Sequence, residues 1–349
     1  MLQDTTNLLY KYIIVLLLIQ QILHIFDYGD IMLKRAGIRR IAVASCALII
    51  LLIIYFFPHT DKEDADFIER LNYANSIDKS AIYLLDYNDY VAISYIVFNS
   101  QEVEKKIEEV IETLTIGGKQ QDYIPNGFKA VIPEGTKLLN SSLDKNGLLK
   151  IDFSKELLEV KKENEEKMIE AIVFSLTNIE GVKKIMIFVD GEQLVALPHS
   201  KKNIPSTLDR SFGINKVYDI DNYKNSTKTT VYYVSKYNTN YYYVPVTFVN
   251  NNNAHKVEVI INELKSSPIY QTNLMSYLAA GAELLTYEVK ENKISMSFNK
   301  YLLDDFENKR MLEEVKYTIA LSLKDNFNVN EVIFSVEDEQ ISTVSLEKE

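Results

Sequence analysis

The sequence predicts an α+β protein in which an N-terminal transmembrane helix precedes two duplicated small domains. Two observations predict it. An uncharged apolar run, residues 41–57, separates a basic flank from an acidic one. Beyond that run, one order of strands, helices and turns occurs twice at a nearly constant offset.

The apolar run contains Ile41, Leu48, Ile54 and Phe57 and stops at Pro58. Its length is at the short end of what a spanning helix needs, about 17–25 residues. Lys34, Arg35, Arg39 and Arg40 precede it, and Asp61, Glu63, Asp64 and Asp66 follow it. Positive flanks stay in the cytoplasm, so everything after Pro58 is expected outside, giving a cell-membrane protein with extracytoplasmic domains. An earlier apolar run, 8–26, is interrupted by Lys11, Gln20, Gln21 and His24. It reads either as a second span or as an upstream extension, because Met32 opens an ordinary basic n-region leading into 41–57. Residues 1–31 are therefore left open between those readings, and 32–58 form the anchor. Val43-Ala44-Ser45-Cys46 fits a lipidation pattern. The apolar core follows Cys46 rather than preceding it, so Cys46 reads as a small residue inside the span.

After an acidic stalk, 59–79, the first domain is expected over 80–198. Residues 81–85 and 90–98 read as strands with a turn between them. Asn99 and Glu102 have the spacing of a capping box for a helix whose face is Val103, Ile107, Val110, Ile111 and Leu114. Short strands are expected near 129–132 and 137–142. Asn146-Gly147 makes a hairpin turn into strand 148–153. Ser154 opens a second helix with Met168, Ile169, Ile172, Val173 and Leu176 facing inward, and 184–189 is the last strong strand. The second domain, 230–345, repeats this order. Strands 230–234 and 241–249 precede a helix with Val257, Ile260, Ile261 and Leu264. Ser297-Phe298-Asn299-Lys300 stands where Asp152-Phe153-Ser154-Lys155 stands, and Ile319-Ala320-Leu321-Ser322-Leu323 where Ile172-Val173-Phe174-Ser175-Leu176 stands. The linker, 199–229, is polar around Pro205 but carries Ile214, Val217, Tyr218 and Ile220. That is too apolar for a free tether, so part of it is expected to pack on the domains.

Three segments resemble the GerM (GerMN) domain of sporulation and spore-germination proteins: 132–139, 147–156 and 181–191. Leu208-Asp209-Arg210 and Gly213-Ile214-Asn215 resemble the inter-domain element of tandem members. The resemblance is weaker in the second copy, where Asp338-Glu339 replaces Asp190-Gly191 and Ser297 replaces Asp152. It implies small α/β sandwiches, with helices on one face of a mixed sheet, similar to ring-building modules. It also implies a membrane-tethered role in envelope assembly during sporulation or germination, without enzymatic activity.

The residues themselves point the same way. A net charge of −11 disfavours a nucleic-acid partner. The one cysteine excludes an internal disulfide and a cysteine-based metal site. The four histidines, His24, His59, His199 and His255, lie in no zinc spacing, and no metal or cofactor is expected. Asp152 and Glu156 are the nearest pair of carboxylates for wall hydrolysis, but a helix-start acid reads more simply. The expected function is a scaffold that binds an envelope protein or itself. The alternative is a peptidoglycan-binding or wall-modifying protein, with Tyr241 and Tyr243 as a surface on which sugar rings stack.

Overall fold

The computed structural model describes residues 79–220, 226–251, 254–266 and 272–346. The chain divides into two compact units, 1–63 and 64–349, and the first lies wholly outside the described residues. So does the whole expected anchor, 32–58, with Ile41, Leu48, Ile54 and Phe57. Among the described residues no helix is long and apolar enough to cross a membrane.

The first repeat opens with an antiparallel hairpin, β1 (Lys79–Asp86) and β2 (Val91–Val97), in which Tyr83 pairs with Ile93. The turn is fixed by Asp86, whose Oδ1 accepts the N–H groups of Asn88 and Tyr90 at 2.8 Å each. Helix α1 spans Val103–Leu114 and buries Ile107, Val110, Ile111 and Leu114. The expected capping box does not form: the N-cap position is Glu102, and its N–H is taken by Ser100 Oγ at 3.1 Å. Asn99 instead donates its N–H to Glu109 Oε2 at 2.8 Å. Strand β3 (Phe128–Lys129) then adds to the free side of β1.

A four-stranded sheet follows, built from β4 (Leu138–Leu143), β5 (Leu148–Phe153), β6 (Lys184–Val189) and β7 (Glu192–Gln193), in that spatial order. β5 and β6 run parallel, because α2 (Glu165–Leu176) supplies the crossover between them. The sheet buries one face, with Leu149, Ile151, Phe153, Ile185 and Ile187 turned inward. The second helix starts later than the sequence suggests. Ser154 leads into a short 3-10 turn, Lys155–Glu159, and the α-helix begins only at Glu165.

The linker carries β8 (Val217–Asp219). The second repeat then gives β9 (Thr227–Tyr237), β10 (Asn240–Asn250), α3 (Lys256–Ser266), β11 (Leu284–Lys290), β12 (Lys293–Phe298), α4 (Glu313–Phe327), β13 (Glu331–Val336) and β14 (Glu339–Ser345). Its four-stranded sheet has the same order and the same parallel central pair. Even an irregularity is shared: the first strand slips register at Leu138/Asn140 in one repeat and at Leu284/Thr286 in the other. Such a bulge interrupts pairing at an exposed sheet edge.

The repeats differ where the linker intervenes. β14 runs along the whole of β13, whereas β7 is only two residues long. In the first repeat the linker makes up the deficit, since Leu208 and Ile185 exchange two backbone hydrogen bonds of 2.8 Å. Further on, β8 adds to the second repeat as a parallel neighbour of β10. The linker is thus a structural part of one sheet in each repeat.

The two hairpins pack on each other. Tyr232, Val234 and Tyr243 of the second repeat lie in the hydrophobic core of the first, and Ala92 of the first lies in the core of the second. Corresponding residues meet across this contact. Tyr83 and Tyr232 donate their N–H groups to Ser175 Oγ and Ser322 Oγ, at 2.9 and 2.8 Å, and their hydroxyls lie 2.9 Å apart. Tyr87 OH donates to the carbonyl of its counterpart, Lys236, at 2.9 Å. A pseudo-two-fold axis therefore runs between β1 and β9.

Candidate functional site

A polar network joins the repeats, and the linker builds it. Asp209 starts a 3-10 turn by accepting Ser211 N–H at 2.9 Å. That turn directs Arg210 inward, where Nη1 meets Asp325 Oδ1 at 2.5 Å and Nη2 reaches the Phe174 carbonyl at 3.3 Å. The guanidinium also lies over the rings of Phe174 and Tyr83, 4.9 and 5.4 Å from their centroids. Gly213 turns the chain at φ +86°, where any Cβ would come within 3.1 Å of the Thr247 side chain.

Three linker residues then sew the hairpins together. Ile214 is fully buried and donates its N–H to Thr247 Oγ1 at 2.9 Å. The Asn215 amide accepts Val91 N–H at 2.9 Å and donates to the Val91 and Pro245 carbonyls at 2.8 and 2.7 Å, which joins β2 to β10. Lys216 Nζ sits 2.6 Å from Glu170 Oε1 and 2.8 Å from Glu166 Oε1. The Lys216 and Glu170 side chains are 5% and 3% exposed, so neither charge could persist there without the other. Burial pushes the Glu170 carboxyl above the usual carboxylate range, against the pull of Lys216 and Asn215 N–H. Glu165 goes the other way: burial opposes it, but the N–H groups of His199 and Ser200 outweigh burial and lower it.

A second clamp holds the hairpin ends. Asp86 Oδ2 accepts the Tyr242 hydroxyl at 2.8 Å, across the repeats. Burial raises the Asp86 carboxyl, and the hydrogen bonds from Tyr90, Tyr242 and Asn88 oppose that rise. The ring of Tyr237 lies on Gly127, where an added Cβ would come within 2.5 Å of it, and 5.0 Å from the ring of Tyr87.

The tyrosine surface expected from the sequence does not form as a platform. Tyr243 is only 5% exposed, buried between the repeats with its ring 6.3 Å from that of Tyr317. Tyr241 is half-buried beneath Lys236, whose Nζ lies 4.8 Å from its ring centroid. A stacked sugar needs an open ring face, and Tyr243 has none to offer. Asp152 accepts the N–H of Gly191 at 3.1 Å, so it fastens the β6–β7 turn. The Ser154 hydroxyl beside Glu156 holds that carboxyl below the usual range. His199 Nε2 donates to the Val160 carbonyl at 2.6 Å, and His255 stacks on Phe327 with ring centroids 5.6 Å apart. Among the described residues no three His, Cys, Asp or Glu side chains are placed to hold a metal ion.

Sequence reasoning marked Leu208-Asp209-Arg210 and Gly213-Ile214-Asn215 but missed their partners, Glu170 and Asp325. Both carried a signal. Glu170 interrupts the apolar stretch from Met168 to Leu176. Asp325 stands in the last turn of a helix, where the dipole disfavours an acid unless a cation offsets it.

The Germane family model, described as sporulation and spore germination, matches residues 81–195 and 230–342. The spore germination protein GerM of Bacillus subtilis (strain 168) is 28% identical over 282 residues, covering 79% of this chain and 76% of that protein. The solved tandem GerMN domains of the sporulation protein GerM from Bacillus subtilis match with a TM-score of 0.71 at 27% identity. That match covers 78% of this chain and 98% of the solved one. These likenesses support a role connected with sporulation or germination. The chain belongs to the Germane family of sporulation and spore-germination proteins, and it carries the domain as a tandem pair.

Proposed function

We propose that this protein is a non-catalytic scaffold, tethered to the membrane and acting outside the cytoplasm in envelope assembly during sporulation or germination. The observation that carries this reading is the fusion of the two repeats into one body. Inter-domain contacts within a chain are ordinarily polar and mobile. Here Tyr232, Val234 and Tyr243 complete the neighbouring repeat's core, and the linker adds strand pairing to one sheet of each repeat. A body of this kind holds binding surfaces at a fixed separation, as a scaffold requires. The basic and acidic flanks of run 41–57 support the outward orientation. The family supports the process. The partner is an envelope protein or a second copy of the chain.

Cross-linking of the full-length chain in sporulating cells, followed by membrane fractionation, tests the reading. Adducts in the membrane fraction are expected, with the repeats open to protease added from outside. Recovery as an uncross-linked monomer in the soluble fraction would overturn it. So would release of sugar fragments from purified peptidoglycan by the full chain.

A further inference from the structure

The sequence contains two Asn-Gly pairs, Asn126-Gly127 and Asn146-Gly147. Asparagine is most reactive in this setting, because glycine has no side chain to shield its nitrogen from the neighbouring amide. Both asparagines are exposed. The fold nevertheless holds the two pairs differently.

At Asn146-Gly147 the backbone is pinned on both sides of the reacting bond. Gly147 is buried; its N–H donates to the Asp144 carbonyl at 3.1 Å, and its carbonyl accepts from Lys183 and Lys184 N–H at 2.8 and 3.1 Å. Asp144 Oδ1 accepts the N–H groups of Asn146 and Leu148 at 2.8 and 2.9 Å. At Asn126-Gly127 a single bond closes the turn, from Phe128 N–H to the Pro125 carbonyl at 3.1 Å, and it passes over both residues of the pair. Among the described residues neither the Gly127 N–H nor the Asn126 side chain has a hydrogen-bond partner.

We propose that Asn126 is a site of spontaneous deamidation in the folded chain, and that its isoaspartyl product unseats the hairpin of the second repeat. The Gly127 nitrogen attacks Asn126 Cγ, a C–N bond forms, and the Cγ–Nδ2 bond breaks. The Gly127 amide proton leaves with the Nδ2 group as ammonia. Water then opens the five-membered imide. Cleavage between the nitrogen and Cγ gives aspartate. Cleavage between the nitrogen and the main-chain carbonyl carbon gives isoaspartate, whose backbone runs through Cγ and is one methylene longer. The first step takes the proton from the glycine nitrogen, so the hydrogen bond held at Gly147 opposes it and none opposes it at Gly127.

The added methylene falls where there is no room for it. Gly127 lies under the Tyr237 ring, within 2.5 Å of where a Cβ would sit. The next residue, Phe128, borders both hydrophobic cores, with its ring 4.8 Å from that of Tyr242. Both contacts cross between the repeats, and a longer backbone at 126 must displace one of them. None of this depends on the scaffold reading.

Peptide mapping by mass spectrometry of the full-length chain, aged in non-ionic detergent at mildly alkaline pH, tests it. In the folded chain Asn126 should deamidate about fivefold faster than Asn146, the rate effect of one amide hydrogen bond. In guanidinium chloride the two sites should react at similar rates, since each is followed by glycine. Isoaspartyl methyltransferase should label the aged folded chain at 126. The aged chain should melt at a lower temperature than the fresh one, and an aged Asn126→Ser variant should not. That variant loses an exposed side chain without a partner, so when fresh it should melt as the parent does. Equal rates at the two sites in the folded chain would overturn the proposal, as would a preference for Asn126 that persists undiminished in the unfolded chain. An unchanged melting temperature once residue 126 is converted would do the same.

Discussion

The hydroxyls of Tyr83 and Tyr232, which occupy the same place in the two repeats, hydrogen-bond to each other at 2.9 Å. Their surroundings are not symmetric. Tyr232 donates to Asp325 Oδ2 at 2.7 Å, so its single proton is committed and Tyr83 must donate to Tyr232. The Tyr83 oxygen is then free to accept from Arg210, at 3.4 Å, and Arg210 closes the ring on Asp325. Duplication alone would place two like hydroxyls face to face, and the linker's arginine gives the pair a direction.

Arg210→Ala should therefore cost more than the loss of one surface contact. The Asp325 side chain is 6% exposed, and removing its partner strands a buried charge. Such losses run to about 3–5 kcal/mol. Urea unfolding of the full chain in detergent measures it. Asp325→Asn in the Arg210→Ala background should recover part of the loss, and strictly additive effects would show that the two side chains are not coupled.

Much of this fold was legible because strand alternation and turn chemistry are local. The Asn146-Gly147 turn, the inward set Leu149, Ile151 and Phe153, and the repeated order of elements all follow from neighbouring residues. What was not legible depends on the other repeat. Tyr241-Tyr242-Tyr243 looked half-exposed because a strand in a two-layer domain has one covered face. In β10 both faces are covered: Tyr242 turns into the second core and Tyr243 into the first. The late start of α2 was hidden for a different reason. Leu157 and Val160 are buried from 3-10 and extended backbone, and their spacing imitates a helix face. At the site, Asn215 carries no periodic signal, because its amide serves two backbone edges that are distant in sequence.

The two tyrosines should differ in what each is worth. Tyr83→Phe leaves Tyr232 bonded to Asp325, and Tyr232→Phe leaves Tyr83 beside Arg210. Tyr83→Phe should cost about 1 kcal/mol, the usual net worth of one such bond, and Tyr232→Phe about 1.5–3 kcal/mol more, because it also takes a donor from the Asp325 carboxylate. The double variant should cost less than the sum of the two, because either substitution already removes the shared bond. A double-mutant cycle in urea gives the coupling, and a value of zero would contradict the ring.

Gly127 tests how closely the hairpin end of the second repeat is seated. Its φ is +92°, and an added Cβ would come within 2.5 Å of the Tyr237 ring. Gly127→Ala should cost about 1–3 kcal/mol from backbone strain, with a further loss from displacing Tyr237. The second part should vanish in a Tyr237→Ala background, while the first remains. An unchanged melting temperature for Gly127→Ala would mean that this contact does not form in solution.

Asp86 gives the interface a predictable pH dependence. Burial raises its carboxyl, so the folded chain holds the proton more tightly than the unfolded chain does. The stabilising contribution is then complete below the unfolded value, about 3.9. It is lost as pH rises through the folded value. Asp86→Asn removes this titration and keeps an oxygen to accept the Asn88 and Tyr90 N–H groups. The variant's stability relative to the parent should therefore rise with pH from about 3.9 upward and level off once Asp86 is ionised in both states. Urea midpoints for the two proteins across that range measure the difference. A gap that narrows with rising pH would mean that the hydrogen bonds from Tyr90, Tyr242 and Asn88 outweigh burial, and that the Asp86 carboxylate strengthens the join between the repeats.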